Sequence, residues 1–200
     1  TSRTKKAMQN IDYNIAYLHN LRATMKDIVS KAKENDMHNR FIDMPGEGVN
    51  LYVVITSDKG LCGCYNADVI EKAKEEIAKE SDYILLSIGS VGTAMFENAG
   101  LTPDYFWLDI LSHPTLSMAS NIAETIIELY TSHEVDEAFI VYTEYNKNGV
   151  LTPVCKRVLP LLRRDFADIE FDFFDFHFMI KSCKHSHFEY FKEEYFWKFL

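Results

Sequence analysis

The stretch Leu51-Tyr52-Val53-Val54-Ile55-Thr56-Ser57-Asp58-Lys59-Gly60-Leu61-Cys62-Gly63-Cys64-Tyr65-Asn66 decides the fold. Its first five residues form an uninterrupted apolar run. A strand with one wet face alternates apolar and polar residues, so a continuous run marks a strand covered on both faces, as in a parallel sheet. Ser57 to Tyr65 reads as a turn, and a helix begins near Asn66 with Val69, Ile70, Ala73 and Ile77 turned inward. The same alternation then repeats. Tyr83-Ile84-Leu85-Leu86-Ser87-Ile88 is a second buried strand, and a short helix over 91–98 stops at Gly100. A short third strand over 105–108 precedes an amphipathic helix over 117–131, carrying Ala119, Ile122, Ile126, Leu129 and Tyr130 inward. Ala138-Phe139-Ile140-Val141-Tyr142 is the next strand. This order predicts an α/β fold, a Rossmann-like and mostly parallel sheet with helices on both faces.

Beyond Tyr145 the pattern changes. Asn148-Gly149 is a tight-turn signal between 139–144 and 150–158, so an antiparallel hairpin is expected at one edge of the sheet. Phenylalanines then alternate with Asp and Glu in two registers over 169–178, a strand with a phase slip near Phe173-Phe174. Ser186 and Glu189 have capping-box spacing and would open a last helix with Phe188, Phe191, Tyr195 and Phe199 along one face.

The other end carries a heptad pattern. Ile11, Leu18, Met25 and Ala32 are spaced by sevens, Met8, Ile15 and Val29 form a second series broken by Arg22, and Leu21 and Ile28 widen the stripe. A helix over about 4–34 would be roughly 45 Å long at about 1.5 Å per residue, which favours a protruding coiled coil over a helix laid on the core. The expected organisation is a coiled-coil helix over 1–35, a linker loop over 36–50, the α/β domain over 51–180 and the start of a C-terminal helix over 181–200.

Composition narrows the function. At 200 residues and 47% hydrophobic, the chain can bury a real core. A formal charge of −9, from 21 basic and 30 acidic residues, argues against a binder of nucleic-acid phosphates. No apolar run approaches the roughly 18 residues of a membrane span, and no signal peptide opens the sequence. Four cysteines do not make a disulfide framework, so a reduced cytoplasmic protein is the default.

No catalytic constellation emerges. The loop from Asp58 to Cys64 sits where a doubly wound sheet binds phosphates, yet it lacks G-x-G-x-x-G and G-x-x-x-x-G-K-[ST]. Gly89-Ser90-Val91-Gly92 is only G-x-x-G, and glycines permitting positive φ in structural turns explain these positions better. Cys62-x-Cys64 has no second pair at zinc spacing and reads as one buried thiol with an incidental neighbour. Cys183, His185 and His187, the other ligand-like cluster, lie on an aromatic segment facing solvent or a neighbouring subunit. Ser57-Asp58 has no histidine near it in sequence, and G-x-S-x-G is absent. No cofactor or metal ligand set is expected.

The residues do resemble a family. Ser57-Asp58-Lys59-Gly60-Leu61-Cys62-Gly63, with Asn66 three residues on, is similar to the signature SD[RK]GLCGxxN of the gamma subunit of F-type ATP synthases. Lys6-Ala7-Met8 is similar to that family's KAM. Asp136-Glu137 leading into Val141-Tyr142-Thr143-Glu144-Tyr145 is similar to its D-E-[VI]-x-[LIV]-[VI]-Y-[TN]-x-[FY] strand, and Val158-Leu159-Pro160-Leu161 to its LLPL element. The similarity runs from about residue 5 to 165. Two departures stand out: Cys64 replaces the second glycine of the family's pair, and both ends are short, with 39 residues after Leu161. The shortness implies a fragment of a longer chain, since an exposed heptad stripe without its partner invites aggregation.

The resemblance implies a non-catalytic central-stalk rotor subunit, coupling ion flow through the membrane sector to ATP synthesis or hydrolysis by rotation. Its partners would be the catalytic ring of alpha and beta subunits, the epsilon subunit and the membrane proteolipid ring, at the cytoplasmic face of the inner or plasma membrane. Met8, Ile11, Ile15, Leu18, Leu21, Met25 and Ile28 would form the coiled-coil seam. The loop Asp58, Lys59, Gly60, Leu61, Cys62, Gly63 and Asn66 would be a structural turn or a subunit contact. The rival readings are a small α/β nucleotide-binding enzyme using the crevice near Gly60 and Gly89, and a gamma-like adaptor that lost the shaft.

Overall fold

The computed structural model describes residues 19–26, 40–42, 46–112, 114–145, 150–162 and 164. The chain divides into two compact units, Thr1–Met44 with Leu161–Leu200, and Pro45–Pro160.

The second unit is built on five strands and three helices: β1 (Asn50–Ile55), α1 (Tyr65–Ile77), β2 (Tyr83–Ile88), α2 (Ser90–Asn98), β3 (Tyr105–Trp107), α3 (Leu116–Thr131), β4 (Glu137–Tyr145) and β5 (Leu151–Leu159). The strands form one sheet in the order β3-β2-β1-β4-β5. β1 pairs in parallel with β2, from Asn50 opposite Tyr83 to Ile55 opposite Ile88, and in parallel with β4 on its other side. β3 extends the parallel set beyond β2. β5 returns antiparallel along β4, with Tyr145 opposite Leu151, as the hairpin reading expects. The Asn148-Gly149 turn itself lies outside the described residues.

The apolar run of β1 has its physical reason in this order. As the central strand it is covered on both faces, so successive side chains from Leu51 to Val54 are all buried. Tyr52 and Val54 meet Val69, Ile70, Ala73 and Ile77 of α1 and Phe96 of α2, with Leu85 and Val141 from the flanking strands. Leu51 and Val53 point the other way and are equally buried, as are Leu86, Ile88, Ala138 and Ile140. α3 packs on β4 and buries Ile122, Ala123, Ile126, Leu129 and Tyr130. Each buried Val, Leu or Ile among these contributes about 1.5–3 kcal/mol through burial. Thr115 caps α3, its hydroxyl accepting from Met118 N at 3.2 Å.

In the first unit, residues 19–26 are helical. Leu21 and Met25 of the expected seam are buried, Met25 at 1% exposure. Met8, Ile11, Ile15, Leu18 and Ile28, the alternating phenylalanines of 169–178 and the helix expected over 181–200 lie outside the described residues. Leu161 N donates to Phe41 O at 2.8 Å, beside a parallel bridge between Ile42 and Leu161.

Candidate functional site

In a doubly wound sheet the ligand crevice opens outside the carboxyl ends of the strands where the strand order reverses. Here that is between the carboxyl ends of β1 and β4. The 57–66 segment occupies the position, beside an open crevice of about 550 Å³ lined by Ser57, Asp58, Lys59, Tyr65, Leu111 and Leu151 among others.

Three internal braces hold the turn at the end of β1. Thr56 is buried and donates its hydroxyl to Ile88 O at 3.1 Å, while Gly92 N donates to the same hydroxyl at 3.0 Å. Thr56 is also why two glycines are needed. A Cβ on Gly92 would stand 2.4 Å from Thr56 Oγ1, and one on Gly89 would stand 2.8 Å from Thr56 O. Gly89 has φ 105°, outside what side-chain-bearing residues adopt. The G-x-x-G of 89–92 therefore serves close packing of α2 on the β1 end.

Asn66 is the second brace. Buried at the start of α1, it accepts from Ser57 N at 2.9 Å and donates Nδ2 to Ser57 Oγ at 2.8 Å. Ser57 Oγ in turn donates to Lys59 O at 2.7 Å. The serine hydroxyl is thus committed to holding the turn.

Asp58 is the third. Its Oδ1 accepts from Ser90 N at 3.2 Å and Asp109 N at 3.1 Å, and its Oδ2 from Leu111 N at 2.7 Å and Ser112 N at 3.2 Å. Ser90 Oγ adds a longer contact at 3.5 Å. Ser90 is the first residue of α2, so the carboxylate also lies at the positive end of that helix.

Between Asp58 and Asn66 the chain bulges outward. Lys59, Gly60, Leu61, Cys62, Gly63 and Cys64 are exposed. Leu61 is fully exposed at φ 64° and Gly63 sits at φ 61°. An apolar side chain held in solvent on a left-handed backbone costs the isolated chain about 1–2 kcal/mol.

A family model described as ATP synthase matches residues 1–196. The chain is 31% identical over 176 residues to the ATP synthase gamma chain of Clostridium botulinum strain Hall, covering 86% of this chain and 61% of that one. The chain belongs to the ATP synthase gamma family. A second gamma chain, from Clostridium pasteurianum, is 32% identical over 174 residues, covering 86% of this chain and 59% of its own length. The sequence thus spans about three fifths of the curated gamma chains it matches. Two solved assemblies share the fold. The Tetrahymena thermophila mitochondrial ATP synthase central stalk with c-ring contains a chain with TM-score 0.60 at 18% identity, covering 97% of this chain and 85% of that one. The Euglena gracilis mitochondrial ATP synthase rotor contains one with TM-score 0.50 at 15% identity, covering 98% and 82%.

Within this gamma-family domain the structure brings Asp58 and Asn66 inward as braces and leaves Lys59 through Cys64 outward. The cysteine reading needs correction. Cys62 and Cys64 are both exposed and free, so neither is a buried thiol. Their turn carries positive φ at Leu61 and Gly63, which lifts both side chains off the core. Among the described residues the half-buried thiol is Cys155 on β5, pushed up to about 11 by burial and by the nearby Glu76 carboxylate. Iodoacetamide at pH 8 should therefore modify Cys155 about two orders of magnitude more slowly than an ordinary surface thiol, and Cys62 and Cys64 well before it. Peptide mass mapping over time checks this; equal rates at Cys155 and Cys62 would contradict the burial.

Sequence reasoning missed the donors of the Asp58 cradle, Asp109, Leu111 and Ser112. They act through backbone N–H groups, which no side-chain motif reports. Among the described residues there is no cluster of three or more His, Cys, Asp or Glu able to hold a metal. No described helix is long and apolar enough to cross a membrane.

Proposed function

We propose that the chain is the α/β domain and part of the shaft of a central-stalk gamma subunit, a non-catalytic rotor coupling ion flow to ATP synthesis or hydrolysis. The observation that carries the reading is the gamma-family match from residue 1 to 196. The two solved neighbours lend support, one being a central stalk with its c-ring and the other a rotor. On this reading the partners are the alpha and beta subunits, the epsilon subunit and the membrane proteolipid ring, with the complex at the cytoplasmic face of the inner or plasma membrane. The seam Met8, Ile11, Ile15, Leu18, Leu21, Met25 and Ile28 pairs with a carboxy-terminal helix. The chain's organisation is a shaft helix over 1–35, a linker over 36–50, the α/β domain over 51–180 and the start of the closing helix over 181–200.

Native capture of the chain from its source, with subunit identification and intact mass, tests the function. Recovery with catalytic subunits is the expected result; a lone chain of 23.2 kDa overturns the motor reading.

We assign the exposed tip of the 59–64 loop to subunit contact and its two ends, Asp58 and Asn66, to structure. Leu61→Gly separates the roles, because glycine relieves the left-handed backbone while deleting the apolar contact. The variant should melt no lower than the parent, and up to about 1 kcal/mol higher in stability, yet recover about tenfold less of the partner subunits. Undiminished recovery would leave the tip without a contact role.

A further inference from the structure

We infer that Asp58 is a built-in anion: its carboxylate permanently fills an oxyanion cradle made by the start of α2 and the 109–112 segment, so that this cradle takes no free anion. The inference goes beyond the rotor reading and stands on the α/β unit alone, whichever subunits the chain joins.

Four backbone N–H groups converge on one side chain from two segments far apart in sequence. Ser90 N and Asp109 N donate to Oδ1 at 3.2 and 3.1 Å, and Leu111 N and Ser112 N to Oδ2 at 2.7 and 3.2 Å. Four amides aimed at two oxygens are the donor set by which helix starts and backbone nests hold oxyanions. Asp109 adopts φ 59°, the turn conformation that aims its amide inward. The residue directly after Ser57 brings its own negative charge into this cradle, and an added phosphate would meet both the occupied donors and the carboxylate's repulsion. Asp58 is thus a positioning residue that ties the end of β1, the start of α2 and the 109–112 segment together.

Chemical rescue tests the assignment on the full chain. Asp58→Gly deletes a group with the shape and charge of acetate. The variant should melt below the parent, and acetate at several hundred millimolar should raise its melting temperature by about 3–5 °C over chloride at equal ionic strength. Bulky pivalate should not do so, and the parent chain should show no difference between acetate and chloride. Phosphate should broaden in 31P spectra with Asp58→Gly and not with the parent. A folded Asp58→Gly chain indifferent to acetate, or a parent that gains as much, overturns the inference. Should Asp58→Gly fail to fold, Asp58→Asn decides. It keeps the shape but turns an amide NH₂ against two N–H donors, so it should melt about 4–8 °C below the parent; an unchanged melting temperature overturns the inference.

Discussion

Gly89→Ala should melt about 8–16 °C below the parent chain, and no added nucleotide or phosphate should alter the difference. Gly89 has φ 105° and ψ 132°, a region essentially reserved for glycine, and occupying it with a side chain costs about 1–3 kcal/mol. The new Cβ would also stand 2.7 Å from Thr56 Oγ1, and 2.8 and 2.9 Å from the backbone O and C of Thr56. The backbone atoms cannot swing aside, because Thr56 N donates to Ile88 O at 2.9 Å and holds that backbone to the end of β2. Overpacking of this kind adds about 1–3 kcal/mol, giving about 4 kcal/mol in all, or 2–4 °C per kcal/mol for a chain of this size. Gly92→Ala makes the comparison. Its Cβ meets the Thr56 side chain, at 2.4 Å from Oγ1 and 2.5 Å from Cγ2, so Thr56→Ala should restore more of its stability than of that lost in Gly89→Ala, whose Cβ keeps its contacts with Thr56 O and C once Oγ1 is gone. Thermal melts of the parent, the three single variants and the two double variants decide the matter. Were the glycines a phosphate loop, Gly89→Ala would melt within about 2 °C of the parent and lose ligand instead.

Met25→Asp should have the complementary effect, sparing the sheet. Met25 is 1% exposed in the 19–26 helix and belongs to the unit formed by Thr1–Met44 and Leu161–Leu200. A carboxylate placed there without a partner costs several kcal/mol. Hydrogen exchange read peptide by peptide should show protection over 19–26 falling by at least a hundredfold, while β1 and β2 keep theirs. Recovery of partner subunits should fall at least tenfold, which is the test of the proposed shaft seam. Simultaneous loss of protection in β1 and β2 would mean that the seam residue supports the α/β unit instead, and would sink the division of roles.

Much of the sheet was legible because its signals are local. Five consecutive apolar residues at 51–55 say that both faces are covered, and the inward positions 69, 70, 73 and 77 say that a helix follows. The helix over 116–131 and the hairpin of β4 with β5 follow from the same two periods and a turn dipeptide. The signature over 57–66 carried the family, because its residues are read one by one in order. The exposure of Cys62 and Cys64 was not legible, since a thiol's burial depends on how the backbone between them turns, and Leu61 adopts φ 64° with no sequence signal for it.

By itself the sequence determined the element types, their order, the family and the absence of a phosphate-loop spacing. All of these are set by side chains within a few residues of one another. The tertiary structure decided what the signature residues do. Asp58 is held by amides 32 to 54 positions away, and Gly89 and Gly92 are glycines because Thr56, more than thirty residues earlier, lies against them. Backbone N–H groups carry no identity in a sequence, and close approach between distant segments leaves only an unexplained glycine. Folding the sheet brings those groups together.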